Sequence, residues 1–226
     1  MSADPMSIAI DQPAHQFDDI MQQHEADLLG MWTFIATEVL FFGALIACYI
    51  VYRWAYPAAF EFGSRHLIMI FGAANTTILL CSSFTMALGV HFAKSGKRNL
   101  VAACLCFTIM LGLAFLVVKG FEYSTDISEG LVPGSSFALK MPVSPGRLTG
   151  VPDGLQLFFW LYFAMTGLHA FHMILGISML SIITVMVLKN AANVRTVEVA
   201  GLYWHFVDMV WIFLFPMLYL IGHHHL

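Results

Sequence analysis

Five stretches of the chain stay continuously apolar over the length a lipid bilayer demands: residues 29–52, 67–92, 100–118, 155–188 and 202–221. A helix needs about 20 such residues to cross a hydrocarbon core of about 30 Å. The runs do not alternate between apolar and polar positions, which excludes outer-membrane strands, and in lipid only a helix closes its backbone hydrogen bonds within one segment. The pattern therefore predicts an all-α fold, a polytopic membrane helical bundle with five transmembrane helices and its termini on opposite sides. Breaks fall where turn residues cluster: Ala55-Tyr56-Pro57 stops the first run, and Lys94-Ser95-Gly96-Lys97-Arg98 forms a tight basic turn. A Pro/Gly/Ser-rich connection at 133–154 argues against a sixth span and is long enough to be a docking surface. The fourth run exceeds what a bilayer requires at about 1.5 Å per residue, so it is expected to tilt or protrude.

Composition agrees with this pattern. With 59% apolar and 11% charged residues and a mean hydropathy of +0.79, no water-soluble domain of 226 residues could avoid large exposed apolar patches. Residues 1–28 carry Asp11, Asp18, Asp19, Glu25 and Asp27 with no Lys or Arg, unlike a secretory signal with its basic start. They read as a soluble acidic arm, leaving 29–226 as the five-helix transmembrane domain. Cys48, Cys81, Cys104 and Cys106 all fall inside predicted spans, where a disulfide framework would not place them, and read as buried fillers. Lys94, Lys97, Arg98, Lys189 and Arg195 lie on the N-terminal side, while Arg53, Arg65, Lys119, Lys140 and Arg147 lie on or near the other. The counts tie, and the short turn at Lys94 to Arg98 decides for an N-terminus in the cytoplasm.

Candidate chemistry lies in the ionisable residues of the spans. Placing such a group in hydrocarbon costs about 2.5–3.5 kcal/mol on insertion scales, so these groups normally face protein or water. Glu38 lies in the first span, His169 and His172 in the fourth, and His205 and Asp208 early in the fifth. Counting residues along helices of alternating direction puts Glu38, His172, His205 and Asp208 at comparable depth, and His169 shares a helix stripe with His172. All five are expected to form one buried polar cluster. Glu38 could then buffer or relay protons, or it could simply hydrogen-bond a His and fix helix packing. The i, i+3 spacing of His169 and His172 also invites a metal or haem, but no axial Met or Cys sits at diagnostic spacing, and hydrogen bonding between helices is the plainer account. Lys119 and Glu122, three residues apart at the end of the third span, read as a local ion pair snorkelling to the interface. The five Trp residues resemble interfacial belts, and the His223-His224-His225 run an interfacial tail.

Four motifs, in order, carry a family resemblance: Thr37-Glu38-Val39-Leu40-Phe41-Phe42-Gly43, Phe121-Glu122-Tyr123, the run from Thr166 through Gly167-Leu168-His169-Ala170-Phe171-His172 to Gly176, and Tyr203-Trp204-His205-Phe206-Val207-Asp208-Met209-Val210-Trp211. From about Gly30 onward the chain resembles subunit III of the haem-copper cytochrome c oxidases, in a short five-helix bacterial form. The resemblance implies an accessory subunit, not catalytic alone and with no cofactor of its own, packed against a subunit I that holds haem and copper. It also implies that the carboxylate at Glu38 hydrogen-bonds the His at His172, that phospholipid binds alongside, and that the subunit sustains proton uptake in aerobic electron transport. The seven-helix form has two further N-terminal helices, replaced here by the acidic arm, so half of that family's lipid cleft is absent or comes from another chain. Partners expected on this basis are oxidase subunit I, other respiratory-complex subunits and membrane lipids, with no nucleic acid, in a bacterial inner membrane. Open alternatives are an accessory subunit of a quinol oxidase, a nitric oxide reductase or an alternative respiratory supercomplex, and more remotely an autonomous proton channel or transporter.

Overall fold

The computed structural model describes residues 19–134 and 153–223, and no strand occurs among them. Helices α1 (Ile20–Ala55), α2 (Pro57–His66), α3 (Met69–Lys94), α4 (Arg98–Ser128), α5 (Leu155–Leu188) and α6 (Val194–Phe215) follow in chain order, then a π-helical turn (Pro216–Leu220) and a 3-10 turn (Ile221–His223). Five helical segments are long and apolar enough to cross a membrane: Ile20–Ala55, Met69–Lys94, Arg98–Ser128, Leu155–Leu188 and Val194–Leu220. The chain is a multi-pass membrane protein. Most of the acidic arm, residues 135–152 of the connection with Lys140 and Arg147, and the terminal His run from His224 lie outside the described residues.

The first helix begins at Ile20, nine residues before the apolar run, because its polar start suits a helix. Asp19 accepts a hydrogen bond from the Met21 backbone N–H through Oδ1 at 3.0 Å, an N-cap, and Gln and Glu are good helix formers. Sequence patterning also misses α2. Pro57 sits at its first position, where the missing N–H is not needed, and Phe60, Gly63 and Ser64 on one face are buried. Three helices end in the same cap. At Gly96, Gly130 and Asn190 the backbone is left-handed (φ 68°, 77° and 56°), and the following N–H reaches back five residues, from Lys97 to Phe92, Leu131 to Asp126 and Ala191 to Met186. At Pro216 the regular ladder of α6 gives way to the π-helical turn, since proline has no N–H to continue it.

Contacts divide the described residues into two compact units, and each of the five spans contributes residues to both. The first takes the chain up to Leu40 with Ile78–Ala114 and His172–Met209. Its core is built round Trp204, fully buried, whose indole N–H donates to Ser82 Oγ at 3.0 Å. A Cβ on Gly112 would stand 2.9 Å from this ring, and one on Gly176 3.1 Å, so the two glycines make room for it. Arg98 holds the end of α5, donating to the Asn190 side chain and the Leu188 carbonyl. The second unit takes Phe41–Thr77, Phe115–Phe171 and the chain from Val210. Its core is an aromatic stack in which Phe60 meets Tyr49 at 5.0 Å and Phe158 at 5.4 Å, edge to face. Tyr49 donates to the Met217 carbonyl at 2.6 Å, satisfying part of the π-helical turn.

Candidate functional site

In the first unit, α1 presents Glu38 to α5. Its Oε2 lies 3.2 Å from His172 Nε2, with the two side chains 18% and 7% exposed. The backbone carbonyl of His172 accepts from Tyr203 OH at 3.0 Å, and the Tyr203 ring packs on Phe34 at 6.0 Å. Tyr203 thus braces both helices that carry the pair. On α6, His205 Nδ1 and Ser83 Oγ are 2.8 Å apart, and the buried Asp208 carboxylate lies beside the same serine hydroxyl. Ser83 therefore ties α3 to His205 of α6, close to Asp208 one turn further on.

His169 belongs to the second unit. It is fully buried, with the Phe115 ring at 5.3 Å and the Trp211 ring at 5.1 Å, and Trp211 donates from Nε1 to Thr76 Oγ1 at 3.1 Å. The single cluster expected from the sequence is thus resolved into three settings, defined by Glu38 with His172, Ser83 with His205 and Asp208, and His169 among aromatic rings. Sharing a stripe did not suffice, because three residues rise about 4.5 Å and so meet different neighbours. Among the described residues no three His, Cys, Asp or Glu side chains converge as a metal site requires.

The second unit also holds a polar centre that sequence reading placed at the interface. Lys119 and Glu122 do pair, Nζ to Oε2 at 3.0 Å, but they are 2% and 1% exposed, so neither snorkels. The reason is that α4 continues to Ser128, ten residues beyond the predicted end of that span, and carries both residues inward. Lys119 also donates to Tyr162 OH at 3.0 Å and Tyr219 OH at 2.8 Å, and its ammonium lies 4.6–5.5 Å from the rings of Tyr123, Tyr162, Trp211 and Tyr219. Tyr219 OH donates to Glu122 Oε1 at 2.5 Å, and Tyr162 OH lies 3.0 Å from Glu122 Oε1 and 3.1 Å from Asp126 Oδ2. Asp126, Tyr162, Tyr219 and Ser83 were not singled out from sequence. Asp126 had a signal: Lys119, Glu122, Tyr123 and Asp126 follow the i, i+3, i+4, i+7 spacing of one helix face. The tyrosines and the serine had none, since such residues stand in apolar runs without remark.

Residues 152–223 match the family described as cytochrome c oxidase subunit III. Among known proteins, the chain is 29% identical over 210 residues to a protein of Staphylococcus haemolyticus named "Probable quinol oxidase subunit 3", covering 88% of this chain and 92% of that one. Proteins of the same name from Staphylococcus epidermidis (26% over 216 residues, 92% and 96% covered) and Staphylococcus aureus (28% over 210 residues, 88% and 92% covered) are similar. The five spans and the order of the four motifs agree with these matches, and the chain is similar over most of its length to subunit III of the haem-copper oxidases.

Proposed function

We propose that this chain packs against a haem- and copper-bearing catalytic subunit I in a bacterial inner membrane, buttressing it and supporting its proton uptake during oxygen reduction. The observation that carries the reading is the contact between Glu38 and His172. A carboxylate and an imidazole meet inside the membrane-spanning part of an accessory chain, where ionisable groups are costly unless used. The chain itself contributes no redox centre in this reading, and haem and copper belong to the partner. Its N-terminus lies in the cytoplasm, on the strength of the short basic turn at Lys94 to Arg98.

Purification of the tagged chain from its own membranes tests the proposal. A haem protein that reduces oxygen should accompany it; recovery of the chain alone, with ion flux after reconstitution, would favour a channel or transporter. The names of the relatives favour quinol over cytochrome c as the electron donor, and oxygen uptake by the purified complex with each donor in turn distinguishes them.

A bound phospholipid fits this reading. In the first unit a groove of about 410 Å³ runs along Leu28, Ala87, Val90 and Leu202, with Lys94, Arg195 and Glu198 also lining it. Glu198 meets Lys94 at 2.9 Å and Arg195 at 3.6 Å, so two cations share one carboxylate and a positive charge is left for a lipid phosphate. Replacing Lys94 and Arg195 together by Gln should lower the phospholipid that co-purifies; unchanged lipid content would remove this groove from the proposal.

A further inference from the structure

We propose that the Lys119 centre in the second unit is a proton-binding site, holding one exchangeable proton shared between the carboxyl groups of Glu122 and Asp126. The inference does not depend on which oxidase the chain serves. It begins with charge. One ammonium and two carboxylates are gathered in a membrane-spanning helix at 2%, 1% and 5% exposure. With all three ionised the centre is left with one uncompensated negative charge, which a buried setting tolerates poorly. Releasing a proton from Lys119 would double that excess, whereas adding one to a carboxyl group brings the centre to neutrality.

Hydrogen-bond capacity points the same way. An ammonium has three N–H donors, and Lys119 directs them to Glu122 Oε2, Tyr162 OH and Tyr219 OH, leaving none for Asp126. Glu122 is well served, because Tyr219 supplies its other oxygen at 2.5 Å. Asp126 has the Tyr162 hydroxyl at 3.1 Å, while the charges acting on it from α4 are those of Lys119, Glu122 and Glu129, two of them negative. Tyr123 turns its own hydroxyl to Thr166 at 2.6 Å on α5.

Tyr162 gives the proton a route between the two acids. Its oxygen accepts from Lys119 and, when Asp126 is protonated, from that acid, while its own proton goes to Glu122. A transfer breaks the O–H bond of Asp126 and forms one on Tyr162, as the former tyrosine proton forms an O–H bond on Glu122. Nothing else is consumed or released. Asp126 lies three residues from Glu129, which is exposed, so exchange with water enters at the C-terminal end of α4.

Infrared spectra of the purified complex count the protonated acids through the carbonyl stretch of COOH, which shifts in heavy water. Compared with the parent complex, Asp126→Asn and Glu122→Gln should each remove one acid equivalent, because the remaining carboxylate is neutralised by Lys119. Lys119→Met should add one, leaving two protonated acids where there was one. Alkaline titration of the unaltered complex should abolish the same band, which requires no variant to fold. The proposal is overturned if the band survives in either amide variant, or if Lys119→Met leaves it unchanged. Those outcomes would mean that the two acids do not share a single proton balanced by Lys119.

Discussion

Truncating Glu38 to Ala leaves His172 without its carboxylate and opens space between α1 and α5. Removing the polar partner of a buried group costs about 1–3 kcal/mol, so the fit of the subunit should loosen while the haem in the catalytic subunit stays intact. The expected result is partial loss of this chain on purification and reduced turnover, with Glu38→Gln closer to the parent; full retention and turnover in Glu38→Ala would remove the proton-supporting and packing roles alike. Depths could be compared from sequence because alternate spans run in opposite directions, which put Glu38 level with His172, His205 and Asp208; the choice of His172 could be read only from the family resemblance. The partners that decide the other settings could not. Ser83, Tyr162 and Tyr219 incur little cost in a span, and nothing in their spacing says which ionisable group they meet. The burial of Lys119 was missed for a different reason, since a long apolar stem makes snorkelling and inward pairing equally easy from sequence.

Helix existence follows from hydrophobic runs, but helix ends follow from capping, and the two do not coincide. The apolar patterns locate all five spans, and the fourth agrees with Leu155–Leu188 end to end. The first and fifth helices start earlier because polar residues extend them: α6 opens at Val194, where Glu198 meets Lys94 and Arg195. Close packing also sets which substitutions an element tolerates. A Cβ on Gly63 of α2 would stand 2.3 Å from the Phe158 ring, which is fully buried and held between Phe60 and Phe159. Gly63→Ala should therefore destabilise by about 1–3 kcal/mol in thermal unfolding of the detergent-solubilised protein. Gly30→Ala on α1, with nothing within 4 Å, should be neutral or stabilise by up to about 1 kcal/mol. Equal effects at the two sites would contradict the packing described for α2.

At the scale of the whole molecule, the spans differ sharply in how much of themselves they bury. The most apolar window of the first span is 11% buried and that of the last 56%. Leu29, Leu40 and Trp54 on α1 are 70%, 74% and 88% exposed. Lipid and neighbouring subunits cover such surfaces in an assembled complex, which agrees with a chain that works as an accessory. The class of protein was legible in the sequence because membrane spans and four ordered motifs survive without any knowledge of packing. The division of the polar residues between two units was not, since it depends on side chains from four or more helices at once.

The central claim is that the pigment of the complex belongs to another chain. Haem measured per copy of this chain, before and after it is separated from the purified complex, tests this most directly. The account predicts a reduced-minus-oxidised haem spectrum in the complex and none in the separated chain, with the haem retained by its neighbour. Haem that stays with this chain, or a tagged preparation that carries no haem protein at all, would contradict it.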